Sequence, residues 1–169
     1  MHIAVAVLAV LLACFRGDWS RLRDFLPTIQ YLVICNLFYN FITGPNHMWR
    51  YEPDFLINHT LTDTLHTFVT LPALILVYLS RFPKHRWRAQ ARYLAGWVLS
   101  FAVAELIFYH MHRLSYHNGW NYGYSIALDT VMFCMLRFYY IKPYWTYGLS
   151  VVITFLLIVY FRVPVLNTR

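Results

Sequence analysis

Charged side chains are scarce in this chain: only 12% of its 169 residues are Asp, Glu, Lys or Arg. An ordinary soluble domain carries about 25%. Too little polar material is present to clothe a soluble core of this size. Acidic residues are scarcer still, 7 against 14 basic ones. Glycine and serine form no linker, and there is neither a repeat nor a low-complexity tract, so nothing divides the chain. It reads as a single integral membrane domain over residues 1–169. Only three cysteines occur, Cys14, Cys35 and Cys134, all inside apolar runs and none spaced as Cys-x-x-Cys, which argues against a disulfide framework. Also missing are a Gly-x-Ser-x-Gly elbow, a P-loop and a His-Glu-x-x-His helix. No module interleaves basic and aromatic residues, so the net charge of +7 does not point to nucleic acid.

What the chain has is apolar length. Hydrophobic residues make up 60% and aromatic ones 20%, with a mean hydropathy of +0.47. A helix needs about 20 apolar residues to cross a hydrocarbon core about 30 Å thick. Five runs come close to that length: 25–44, 58–80, 92–112, 124–141 and 145–163. A sixth, 2–15, is shorter and spans only with help from its neighbours. Its rival readings are a signal peptide, or a lipoprotein box at Leu-Leu-Ala-Cys with Cys14 lipidated; both lack a basic leader. The runs are continuous rather than alternating, so strands of a barrel are not expected. The fold class is all-α, a polytopic transmembrane bundle of six helices, or five if the first run does not span.

Basic residues orient such a bundle. Arg16, Arg21, Arg23, Arg81, Lys84, Arg86, Arg88, Arg92 and Lys142 fall in loops on one side. Arg50, Arg113, Arg162 and Arg169 fall on the other, with the acidic Glu52 and Asp54. The positive-inside rule then puts the 81–92 loop in the cytoplasm and both termini outside. Trp19, Trp49, Trp87, Trp120 and Trp145 mark helix ends as interfacial anchors would, while Trp97 lies inside a span.

The polar residues inside the spans carry the functional information, because ionisable groups in a bilayer are costly and face the bundle interior. Asn36 and Asn40 share one helix face; so do His59, Asp63, His66 and Thr70 on the next helix, Glu105, Tyr109 and His112 on the fourth, and Tyr122, Ser125 and Asp129 on the fifth. Most fall within about 12 Å of the outer end of their helix. They predict a polar pocket opening outward, built from Asn36, Asn40, His59, Asp63, His66, Glu105, Tyr109, Ser125 and Asp129. Arg137 is the exception, toward the cytoplasmic half. Asp63 and His66 have metal-ligand spacing, so His59, Asp63, His66 and Glu105, with Asp129 nearby, form a candidate divalent-metal set. His110 and His112 point apart and add nothing to it.

Three functions follow. One is binding or transport of a small solute or ion, proton-linked, since carboxylate–histidine chains are typical of relays. The second is a membrane-embedded enzyme, metal-assisted, acting on a lipid or other amphiphile. The third is purely structural or partner-binding, with the polar groups fixing helix packing. Pro72 is expected to kink its helix just below the polar stripe, and Gly44-Pro45-Asn46 to end the second helix. His117 to Asn121 reads as a tight turn, and the sequon Asn58-His59-Thr60 as accidental.

The Asn36/Asn40 helix, His59-x-x-x-Asp63 followed by Pro72, Glu105, and Gly119-Trp120 leading to Ser125 resemble a family of small multi-pass membrane proteins of spore-forming bacilli and clostridia. The resemblance covers roughly residues 26–137. It implies a bacterial cytoplasmic membrane and an all-helical fold, and it implies no reaction, cofactor or oligomeric state.

Overall fold

The computed structural model describes residues 1–44, 46–56, 58–84 and 86–163. Pro45 of the expected helix stop and Arg169 of the outer basic set lie outside the described residues. Among the described residues there are six helices: α1 His2–Arg16, α2 Leu22–Thr43, α3 His59–Ser80, α4 Trp87–His110, α5 Tyr122–Ile141 and α6 Pro143–Phe161. The protein is an all-α membrane bundle. The helical stretches Trp19–Thr43, His59–Ser80, Trp87–His110 and Pro143–Phe161 are long and apolar enough to cross a membrane. Large apolar side chains such as Leu99, Val103, Val151 and Phe155 cover its outside.

Local sequence explains the helix ends. Asn58 caps α3, its side chain accepting from the Leu61 N–H at 2.9 Å, and Asn121 caps α5 through Gly123 and Tyr124. The sequon asparagine is therefore a helix cap. Gly44 follows α2 at φ +49, a conformation that costs glycine little. Pro143 opens α6, where its missing N–H costs nothing.

The interior of α3 is irregular. Pro72 has no N–H to offer the carbonyl four residues back. A π segment, His66–Thr70, absorbs the mismatch, and the Leu71 N–H reaches back five residues to the His66 carbonyl. The irregularity expected at Pro72 thus takes the form of a wide turn at the polar stripe itself, not below it.

Helix α1 runs parallel to α3, its first residue beside His66 and its end beside Ser80, where the Asp18 N–H donates to Ser80 Oγ at 2.8 Å. Ala6, Ala9 and Ala13 form its buried face, and small residues let the two backbones approach. The short first run is thus a packed helix that begins about two turns deeper than α3 does. The loop before α3 fills the step. The Met1 ammonium pairs with Asp54, and the His2 N–H donates to the same carboxylate at 3.1 Å.

Two short strands, β1 Trp49–Tyr51 and β2 Leu114–Tyr116, pair antiparallel with Arg50 opposite Ser115. They lie between the apolar runs, which are helical as expected, and add a sheet at the scale of a loop. Run-based hydropathy could not see them, because they are three residues long and lie between helices. Their anchor is Tyr39 on α2. Its hydroxyl accepts from the Met48 and Trp49 N–H groups at 3.0 and 3.1 Å, and Trp49 stacks on its ring at 3.9 Å. At the other end of the bundle the core closes around Tyr78, Phe133 and Leu136, with the Tyr78 hydroxyl donating to the Phe133 carbonyl at 2.9 Å.

Candidate functional site

Beneath the β1–β2 hairpin lies a cavity of about 200 Å³. Five helices and the hairpin line it, with the polar side chains coming from four of them. Asn36 comes from α2, His66 and Thr70 from α3, Glu105 from α4, and Ser125 and Asp129 from α5. Trp49, Tyr51 and Leu114 of the hairpin line its hairpin end, and Val5, Leu74, Phe101 and Met132 are among its apolar walls. Of the nine residues expected to share a pocket, Asn36, His66, Glu105, Ser125 and Asp129 meet in this cavity. The expectation was a pocket open to the outside; the hairpin crosses that route.

Asn40, His59, Asp63 and Tyr109 do not line the cavity. The reason for three of them is depth. Along α3, Asp63 lies about 5 Å and His59 about 10 Å nearer the hairpin end than His66, and Asn40 sits one turn above Asn36. That level is occupied by the hairpin and its approach. His59 meets His47 edge to face at 6.2 Å, and Arg50 is the basic group whose charge acts on Asp63. Tyr109 faces outward, 46% exposed, and stacks on Tyr116 at 5.2 Å. His112 has left α4 altogether at φ +54, so it cannot continue the Glu105 stripe.

The same displacement undoes the metal set. Among the described residues no three His, Cys, Asp or Glu side chains converge to hold an ion. His66 is committed elsewhere, and His59 and Asp63 sit above the cavity that holds Glu105.

Hydrogen bonds tie the cavity walls together. Asn36 Nδ2 donates to Thr67 Oγ1 at 2.6 Å, joining α2 to α3. The Tyr116 hydroxyl donates to Glu105 Oε1 at 2.8 Å, joining the hairpin to α4. Burial and the Glu105 carboxylate both push the Tyr116 phenol above its usual range, so it remains a donor. The Trp120 indole N–H donates to Ser125 Oγ at 2.9 Å.

Behind the cavity stands a chain of groups that sequence reasoning passed over. His2 is fully buried, with Nδ1 2.9 Å from His66 Nε2 and Nε2 2.9 Å from the Glu52 carbonyl. His66 Nδ1 lies 3.1 Å from Thr70 Oγ1. The Glu52 carbonyl can only accept, which fixes the direction of the whole chain when both rings are neutral. His2 Nε2–H donates to Glu52, His66 Nε2–H donates to His2, and the Thr70 hydroxyl donates to His66. The Tyr51 ring lies against His66 at 4.4 Å. A histidine at the head of a short apolar run was the available signal for His2.

Two acids lie outside the spans, where the loop meets α1. Burial raises the Asp54 carboxyl, but the Met1 ammonium and the Phe55 and His2 N–H groups outweigh it and hold Asp54 well below the carboxylate range. Burial also raises Glu52, and the Ser115 hydroxyl and Arg50 guanidinium bring it below its ordinary value.

Neither a protein-family model, nor a curated protein, nor a solved structure matches this chain.

Proposed function

We propose that this is a multi-pass membrane protein that binds or moves a small solute or ion, in a proton-linked manner, through the cavity beneath the hairpin. The observation carrying the reading is that Asn36, His66, Glu105 and Asp129, from four helices, line one space that no Lys or Arg among the described residues lines. Ionisable groups gathered inside a bundle mark solute and proton paths. Asp129 and Glu105 are near enough for their charges to repel, which favours a ligand or protons that relieve that repulsion.

The orientation belongs to the same proposal. Six helices span, the basic end of the bundle faces the cytoplasm, and the hairpin, the start of α1 and the end of α6 face outward. The resemblance to the small membrane proteins of bacilli and clostridia supports a bacterial cytoplasmic membrane and membership of that family.

The test is a panel of small amines, alkali cations and amino acids added to the purified protein in neutral-lipid nanodiscs, read as a shift in melting midpoint. At least one class should stabilise the wild type and fail to stabilise Glu105→Gln with Asp129→Asn. A folded double variant that responds to every probe as the wild type does would leave the polar cavity with a structural role only.

A further inference from the structure

A second cavity, of about 220 Å³, lies beside the polar one, between α2, α5 and α6. Its walls are aliphatic and aromatic, from Leu32 and Phe38 through Met135 to Ile153 and Leu157. Asn36, Trp49, Leu71, Leu128 and Met132 line both cavities. These five side chains form the layer along which the polar space and the apolar one adjoin. In that layer Asn36 spends its amide N–H on Thr67, which leaves its carbonyl oxygen to accept a bond.

We propose that the two cavities are the two ends of one site for an amphiphile, a cationic amine head lying beneath the hairpin and an apolar chain lying between α2, α5 and α6. This rests on the polar cavity being a ligand site. Charge selects the head. Glu105 and Asp129 line the polar space, and among the described residues no Lys or Arg lines either space and neither acid is in an ion pair. A phosphate or carboxylate head would meet two carboxyl groups and, among the described lining residues, no cation, at a site where desolvation is costly. An ammonium would be compensated there, with acceptors at Asn36 and Glu105 and the aromatic side chains of Trp49, Tyr51 and Phe108 in the lining. Shape selects the tail. An ion or a short polar solute would leave the adjoining apolar space unused, whereas an alkyl chain matches its lining.

The test is saturable binding of dodecylamine, butylamine and dodecyl phosphate to the full chain in phosphatidylcholine nanodiscs, corrected against empty nanodiscs. A long chain concentrates in the bilayer unaided, so the deciding comparison is between variants. Leu157→Trp, or Val131→Phe in its place, fills the apolar cavity and should weaken dodecylamine about tenfold while leaving butylamine unchanged. That unchanged butylamine binding also shows the variant is folded. Glu105→Gln with Asp129→Asn should abolish saturable binding of both amines, and dodecyl phosphate should bind no variant saturably. Equal effects of the cavity-filling change on the two amines, or none on either, would overturn the shared site and leave the polar-cavity reading standing. Saturable dodecyl phosphate binding would overturn the cationic head. Absence of saturable amine binding to the wild type would remove both the amphiphile and an amine-binding role for the polar cavity.

Discussion

At the scale of single residues, the step where α1 starts is held by charge. Asp54 takes the Met1 ammonium and the His2 and Phe55 N–H groups, while Glu52 takes Arg50 and Ser115. Both carboxyls are depressed in the folded protein. A depressed carboxyl adds stability above its unfolded value, about 3.9 for Asp and 4.3 for Glu, and that stability is lost as pH falls through the folded value. Acid should therefore loosen the docking of β1 and the first turn of α1 before it unfolds the bundle. Amide hydrogen exchange at Glu52 to Phe55 should rise as pH falls below about 4, after correction for intrinsic rates. Asp54→Asn with Glu52→Gln should flatten that dependence; an unchanged pH profile would dissociate the two acids from the docking. These contacts explain why His2 escaped sequence reading. Helix periodicity marks residues that share a face, and His2 stands alone on its helix. Its partners, His66 and the Glu52 carbonyl, are 64 and 50 residues away. Glu105 and Asp129 were legible because a carboxylate in the middle of an apolar run has few places to go.

At the scale of elements, backbone details decide what stripes cannot. Spacing placed His59, Asp63, His66 and Thr70 on one face, but only His66 and Thr70 reach the cavity. The hairpin takes up the level of the other two, and three-residue strands leave no periodic trace. Tryptophans tell the same story. Trp19, Trp87 and Trp145 are exposed, at 51%, 73% and 74%, and ring the basic end as interfacial anchors should. Trp49 and Trp120 turn inward instead, 5.1 Å apart, over the cavity end. Close approach is equally local. A Cβ on Gly17 would sit 2.5 Å from the Ala13 carbonyl oxygen and 3.0 Å from Leu76. The last turn of α1 itself, together with the Leu76 side chain of α3, leaves no room for it, and overpacking of that kind costs about 1–3 kcal/mol. Gly17→Ala should lower stability by that order in a denaturant titration, whereas Gly148→Ala, where a Cβ meets nothing within 4 Å, should leave it almost unchanged. Equal effects at the two positions would mean that α1 is not packed as described.

At the scale of the whole molecule, the two ends differ in kind. One end carries the basic loops, with Arg137 lying over the Phe82 ring at 4.4 Å and Arg21 donating to the Tyr140 hydroxyl at 2.9 Å. The other carries the hairpin, the acids and the inward tryptophans. An anionic cytoplasmic face would favour the basic end, so under the proposed orientation the asymmetry of scattered arginines sets which end faces in. On the proposed reading, a ligand would reach the cavity by one of two routes: past the hairpin, or from the bilayer between α2 and α6. Single cysteines in a background lacking Cys14, Cys35 and Cys134 separate the ends. A membrane-impermeant maleimide should label Asn118→Cys, beside the hairpin, in intact cells. It should label Arg88→Cys, at the start of α4, only after permeabilisation. The reverse pattern would turn the bundle over, put the cavity on the cytoplasmic side, and make the basic end the outer one against the positive-inside rule. Labelling of both positions in intact cells would mean that an even number of helices cross between them, which α4 alone cannot satisfy if it spans as its 24 apolar-rich residues allow. Adding the amine probes before the label carries the argument one step further. If the route runs past the hairpin, an occupied cavity should slow labelling at a Tyr51→Cys position and leave Asn118→Cys unchanged, because Tyr51 lines the cavity and Asn118 does not.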